Sequence, residues 1–343
     1  MTDDKRTAIN PGIVLLDRRE VESLLSLDEV IECVESAYAE HYRGNTILPP
    51  VVNLALHEQD GEIDVKTGYM KAHGLVGVKV ASGFYRNEKQ FGIPSGAAVI
   101  LLEDAETGFP LAFMDGSHIT TVRTGAAGAV GAKYLARPES ETVCLVGAGE
   151  QARIQLLSLV RVLPRLKRAI VFNRNPGKAW SFAREMAARV GLDIVPVESA
   201  EAGVREADIV VTVTPSTSPL VMRGWLRPGT HVNAIGSDGP GKQELDPLIL
   251  RDAKVVVDSW QQASAIGECQ HGVKAGFLPP DGSGIWGEIG AIAAGAKPGR
   301  QSRDEITVFD CTGMAVQDVA TAALVYRRAL ERGTCRRFAA ATV

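Results

Sequence analysis

The chain has 343 residues, 45% hydrophobic and 23% charged, a composition that suits a globular protein with room for two domains. A net charge of −4 with scattered basic residues excludes the electrostatic footprint of a nucleic-acid binder or an anionic-membrane binder. Five well-separated cysteines exclude a disulfide framework and a CxxC metal site; together with a polar start and no apolar run of about 18 residues, they point to a cytoplasmic protein that neither is secreted nor spans a membrane.

Taken in chain order, Ser26-Leu-Asp-Glu29 has the pattern of a capping box. Val30, Ile31, Val34, Ala37 and Tyr38 then recur at helical spacing, predicting a helix to about Arg43. Short β-rich runs follow at 51–56, 74–81 and 96–102. Residues 115–136 form a hinge whose Thr120-Thr121 start and repeated Gly and Ala predict a thin helix, against which other backbone or a ligand packs closely. Beyond it, strands near 143–146, 169–173, 193–197, 208–214, 230–236 and 253–259 alternate with helices, which predicts a doubly wound, mainly parallel sheet. A late strand at 305–309 precedes a final helix at 318–331, expected to return to the first domain. The expected division is residues 1–125 plus 316–343 for the substrate chemistry and 126–315 for a Rossmann dinucleotide-binding domain.

The run Val143-Cys-Leu-Val-Gly147-Ala-Gly149-Glu-Gln-Ala152 reads as a strand, a glycine turn and a helix start. Gly147 permits the turn, Gly149 admits a pyrophosphate to the backbone, and Ala152 lets the helix lie close to the sheet, with free N–H groups facing the anion. GxGxxA by itself also fits a plain turn, but its setting between strand and helix favours a dinucleotide. The next strand ends in Asn173-Arg174, with no carboxylate for the ribose hydroxyls, so Arg174 suggests acceptance of a 2′-phosphate; a solvated loop arginine is the alternative. Thr214, and Asn233 to Gly236, end two later strands at the same sheet edge, beside the ribose and nicotinamide.

Arg123 is expected in the first turn of the thin helix, where the dipole disfavours a cation unless an anion is bound, so it is a candidate carboxylate clamp; an interdomain ion pair is the plainer alternative. In Val76-Gly-Val-Lys79-Val80, alternation sets Lys79 on a face with Gly77 and Ala81, leaving space for a ligand, unless it is an ordinary exposed strand lysine. Asp238, in Ser237-Asp-Gly-Pro-Gly241-Lys242, is a candidate general acid or base once a dry cleft raises its pKa, or else a turn aspartate. His271 is expected to be a satisfied loop histidine. No His, Cys and carboxylate combination has metal spacing, so no metal is expected.

Thr107-Gly-Phe-Pro-Leu-Ala, Met114-Asp-Gly, Thr121-Val-Arg123-Thr-Gly-Ala-Ala, Gly147-Ala-Gly-Glu-Gln-Ala152 and Gly241-Lys-Gln-Glu-Leu-Asp246 together resemble the ornithine cyclodeaminase/mu-crystallin family across about residues 12–330. The resemblance implies an α/β fold with an inserted Rossmann domain, an N-terminal α+β domain completed by the last helix, and a homodimer. It implies substrate contacts at Lys66, Lys79 and Arg123, an acid/base at Asp238, and cofactor-side positions at Ser95, Glu150, Gln151, Asn173, Thr214, Asn233, Ile235, Gly236 and Lys242. Where cyclodeaminases and alanine dehydrogenases of the family carry a basic residue after the proline pair, this chain has Val51-Val52 after Pro49-Pro50. That segment, the lysine pair and Ile266-Gly-Glu-Cys-Gln-His271 are most similar to the iminosuccinate reductase branch. The expectation is an NAD(P)H-dependent reductase of a small α-imino acid, iminosuccinate to L-aspartate first, with NADH or NADPH both open. The alternatives are a cyclodeaminase-type lyase using catalytic NAD and a mu-crystallin-like ketimine reductase or NAD(P)H binder.

Overall fold

The computed structural model describes residues 12–333 and 335–339; the ends of the expected first domain, 1–11 and 340–343, and position 334 lie outside the described residues. The strands are β1 (Gly12–Leu16), β2 (Thr46–Ile47), β3 (Val52–Leu56), β4 (Gly61–Met70), β5 (Leu75–Phe84), β6 (Gly96–Asp104), β7 (Pro110–Asp115), β8 (Thr142–Val146), β9 (Arg168–Phe172), β10 (Asp193–Val197), β11 (Ile209–Thr212), β12 (Thr217–Val221), β13 (His231–Ala234), β14 (Gln243–Leu245), β15 (Lys254–Val257), β16 (Gly287–Glu288), β17 (Thr307–Asp310) and β18 (Arg336–Ala339). The helices are α1 (Arg18–Leu24), α2 (Leu27–Tyr42), α3 (Asn87–Phe91), α4 (Ser117–Leu135), α5 (Glu150–Val162), α6 (Pro176–Val190), α7 (Ala200–Glu206), α8 (Pro247–Asp252), α9 (Trp260–Ile266), α10 (Cys269–Lys274), α11 (Ile289–Ala293) and α12 (Ala315–Arg332). Contacts divide the chain into two units, 12–25, 46–120 and 318–339 forming one and 26–45 with 121–317 the other.

The first unit is a mixed sheet in the order β18-β1-β7-β6-β5-β4-β2, with β3 also on β4. Its long central strands are antiparallel, and alternation sorts their side chains onto two faces. On the outer face Val52, Val65, Val80 and Val99 stand in one cross-strand row. Val78, Leu101 and Phe113 stand in a second row, Leu101 pairing with both of the others. On the inner face Gly77 lies so close to Val319 of α12 that an added Cβ would come within 2.6 Å of its side chain. The late strand β18, which hydrophobic pattern alone did not suggest, pairs antiparallel with β1. A complete capping box occurs at Asp17 and Glu20 of α1. The box expected at Ser26 does not form: Ser26 holds the N-cap position of α2, but its hydroxyl bonds the Glu29 carboxylate rather than the backbone.

The second unit carries an eight-stranded, all-parallel sheet in the order β10-β9-β8-β11-β13-β17-β15-β16, the doubly wound topology expected. Its inner strands are apolar on both faces, with Val143 to Val146 and Ile209 to Val211 fully buried, as strands covered by helices must be. Helix α4 packs through its small residues: a Cβ on Gly125 would come within 2.6 Å of Ile154 in α5, and one on Gly131 would collide with the Phe309 ring of β17. The close partner of this thin helix is therefore protein. Helix α2, expected with the first domain, packs on α5 and α11 of the second unit because its buried stripe of Val30, Ile31, Val34, Ala37 and Tyr38 faces them.

Candidate functional site

At the head of β8, Gly147 has φ +123°, a conformation that only glycine adopts readily, and its N–H is held by the Phe172 carbonyl at 2.9 Å. Gly149 caps α5, and a Cβ built on it would meet nothing within 4 Å, so open space lies over the turn. Ala152, in the first turn of α5, is fully buried. This space is a cavity of about 580 Å³ lined by residues 147–149, 172–175, Lys178 and 213–216, together with Leu220. Its size, glycine floor and N–H groups fit a dinucleotide. None of the described lining residues carries a carboxylate, while Arg174 and Lys178 both do line it. Asn173 turns its Oδ1 to the Asn175 N–H, and Asn175 caps α6. Glu150 is the exposed first residue of α5.

A smaller cavity of about 170 Å³ adjoins the ends of β11 and β13, lined by Gln151, Val213, Thr214, Pro215, Ile235, Gly236, Asp238 and Lys242. The buried Gln151 Oε1 accepts no hydrogen bond from the protein, leaving an acceptor for a ligand donor. Asp238 does not lie in a dry cleft: it is 50% exposed and ion-paired with Lys242 at 2.7 Å, because the Gly239-Pro-Gly241 turn folds Lys242 back onto it. Asn233 is also elsewhere than expected. Its side chain is taken up by the Gly128 carbonyl at 2.8 Å and by His231 at 2.8 Å, so it braces β13 against α4. Burial lowers the His231 pKa to about 3, keeping that ring neutral. His271 is satisfied by the Lys242 carbonyl at 2.8 Å.

In the first unit Lys66 of β4 and Lys79 of β5 are direct register partners on the inner face. They are 8% and 2% exposed. The alternation placed Lys79 on the right face, and the structure makes that face the buried one. The neighbouring Gly77 is small because Val319 fills the space beside it, so that room is not left for a ligand. Lys79 Nζ lies 2.7 Å from Asp318, in the first turn of α12, where the helix dipole favours a carboxylate. Opposed ammonium groups repel, and on this face Asp318 supplies negative charge beside Lys79. Ser95 closes the β5–β6 connection, its carbonyl accepting from Phe84 N at 2.7 Å.

In the second unit Arg123 is 6% exposed and lies almost two turns into α4. The helix starts earlier than expected because Asp115 accepts the His118 N–H at 2.9 Å, so Arg123 is not part of a helix N-terminal clamp. Its guanidinium lies against Gly313 (φ +82°) and donates to Gln317 Oε1 at 3.4 Å. Gln317 in turn accepts from Met314 N and donates to Tyr38 Oη at 2.9 Å, so the arginine's surroundings are held by a buried amide. Burial beside Cys311 and Asp258 pushes the Tyr38 phenol well above its usual pKa, which keeps it a neutral acceptor.

Asp318, Glu244 and Lys178 were not singled out from sequence. Asp318 carried a usable signal as an acid in the first turn of a predicted helix, and Glu244 as a charge inside a buried strand. Among the described residues no group of His, Cys, Asp and Glu could hold a metal ion, and no helix is long and apolar enough to cross a membrane.

The model for the ornithine cyclodeaminase/mu-crystallin family matches residues 13–333. The fold superposes on the Δ1-pyrroline-2-carboxylate reductase of Thermococcus litoralis, solved with NADH and L-proline, with a TM-score of 0.91 and 39% identity over 95% of this chain and 100% of that one. It superposes on an archaeal alanine dehydrogenase dimer with bound NAD at 0.89, 39% identical over 95% and 99%. The iminosuccinate reductase of Paracoccus denitrificans, solved with NAD+, gives 0.87 and 32% identity over 95% and 99%.

Proposed function

This chain belongs to the ornithine cyclodeaminase/mu-crystallin family and is an NAD(P)-dependent oxidoreductase of amino acids and their imines, and we propose that its substrate is a dicarboxylic α-imino acid, with iminosuccinate reduced to L-aspartate. The observation that carries the proposal is the buried pair Lys66 and Lys79, two register-paired ammonium groups on one sheet face. A dicarboxylate gives such cations charge-assisted partners. Val51-Val52 supports the same assignment, since the basic residue expected of a cyclodeaminase or alanine dehydrogenase is absent there.

The bound cofactor supplies a hydride to the imine carbon. Lys66 would hold a substrate carboxylate, and Arg123 would offer its planar fork to a carboxylate. We assign delivery of the proton to the imine nitrogen to Lys79, whose ammonium Asp318 holds in place; Asp238, half-exposed and engaged by Lys242, takes the lesser part. Arg174 and Lys178 support use of NADPH as well as NADH. The outer valine rows of the first unit, with Val80 39% and Phe113 45% exposed, support a homodimer through that face, as the alanine dehydrogenase is a dimer.

The test offers purified protein and NADH or NADPH either oxaloacetate with ammonia, pyruvate with ammonia, or Δ1-pyrroline-2-carboxylate. Fastest cofactor oxidation with oxaloacetate and ammonia is expected. Faster turnover of either other substrate, or release of ammonia and proline from ornithine with NAD, overturns the assignment. Arg123→Ala is expected to raise the KM of the imino acid at least tenfold; an unchanged KM removes Arg123 from the carboxylate site.

A further inference from the structure

Beneath the smaller cavity of the second unit, Glu244 is fully buried in β14. Its Oε1 accepts the Thr214 N–H at 2.6 Å, and its Oε2 accepts the Gly236 N–H at 2.9 Å. Thr214 follows β11 and Gly236 follows β13, adjacent parallel strands whose ends line that cavity. Thr214 also lines the larger cleft, so a single carboxylate ties together the two loops on which both cavities depend. The approach is built for the carboxylate: a Cβ on residue 236 would collide with Glu244 Oε2 and with the Thr214 backbone. Glu244 is itself fixed from behind, its own N–H and that of Leu245 donating to Glu268 at 2.6 and 3.2 Å.

In a doubly wound sheet the adenosine half of a dinucleotide lies beyond the glycine turn toward β9, and the nicotinamide half toward β11 and β13. We propose that Glu244 is a positioning residue that sets the spacing of the loops after β11 and β13, and through them the seat of the nicotinamide riboside. The inference rests on the proposed use of NAD(P)H, but not on which imino acid is reduced. A carboxylate suits this task because each oxygen accepts one backbone N–H. A protonated carboxyl, or an amide, must turn a donor toward one of those N–H groups and lose that bond. Burial raises the Glu244 pKa to about 7 against the pull of its hydrogen bonds. The charged groups about it are Glu268 at the N-cap of α10, coupled onward to Asp310 of β17, and the Asp238–Lys242 pair at the cavity rim. Protonation of Glu244 near neutral pH therefore loosens the cofactor seat.

NADH affinity is measured by fluorescence titration from pH 5.5 to 8.5 for the wild type, Glu244→Gln and Glu244→Asp, with kcat and KM for NADH at each pH. The wild type is expected to bind NADH about tenfold more weakly at the acid end. Glu244→Gln is expected to bind about tenfold more weakly throughout, with a flat pH profile and the loss in KM for NADH rather than in the imino-acid KM. Glu244→Asp should restore part of the profile. A wild-type profile flat across this range overturns the inference without any variant being needed, as does a Glu244→Gln protein with wild-type affinity and profile. A wild type that binds neither NADH nor NADPH overturns the cofactor assignment itself, which separates the two failures.

Discussion

In the first unit a buried cation is answered by a buried side-chain anion: Lys79 lies against Asp318, with Lys66 as its cross-strand neighbour. In the second unit, which also buries the cation Arg123, four buried carboxylates are answered by the backbone. Glu244 takes Thr214 N and Gly236 N, Glu268 takes Glu244 N and Leu245 N, Asp310 takes Cys269 N, and Asp258 takes Gly313 N. The difference follows from chemistry. An ammonium on a strand face has no nearby carbonyl to spare, because the ladder uses them, whereas the strand ends of a parallel sheet present unpaired N–H groups to any carboxylate. Buried carboxylates of the second unit thus hold loops in place.

Asp318→Ala takes away the carboxylate beside a 2% exposed ammonium. It should cost about 3–5 kcal/mol of stability, read by urea unfolding. A loss under about 1 kcal/mol means that Lys79 is compensated chiefly from elsewhere, and the contrast between the units weakens.

The pH dependence of stability tests the anionic side. Burial raises Glu244 from 4.5 to about 7 and Asp310 from 3.8 to about 7. A carboxyl raised in the folded state gives stability that is complete below its unfolded pKa and is lost as pH climbs through the folded value. Stability should therefore fall between about pH 4 and 7, with Glu244 contributing on the order of 3 kcal/mol. Glu244→Gln should flatten its share of that slope in unfolding curves; an unaltered slope assigns the titration to other groups. Cofactor affinity is expected to move in the opposite direction over the same range, since the proton that favours the fold disrupts the clamp.

Gly131→Ala probes packing without touching charge. Its methyl group would enter the Phe309 ring, so about 1–3 kcal/mol should be lost in a thermal or urea melt, with NADH affinity retained. The smallest effect belongs to Lys242→Ala, which removes the exposed pair with Asp238; a stability change below about 1 kcal/mol is expected. A larger change would mean that the turn at 239–241 depends on that pair.

Much of this molecule was legible from the chain itself. The succession of strands and helices along the chain, the glycine turn at 147–149 and the family likeness follow from local apolar runs and from backbone conformations that only glycine meets easily, both written in neighbouring residues. Period-two alternation likewise put Gly77 and Lys79 on one face of β5. It could not say which face is inner, because that depends on α12 arriving from far along the chain to cover it. For the same reason only the tertiary structure showed Asp318 beside Lys79, Asn233 spent on α4, Asp238 exposed, and Arg123 displaced from the helix end by an earlier cap at Asp115. Local pattern determines which element forms and how its side chains are sorted. Burial and partnership, which decide what a charged side chain does, come from segments that meet only when the chain has folded.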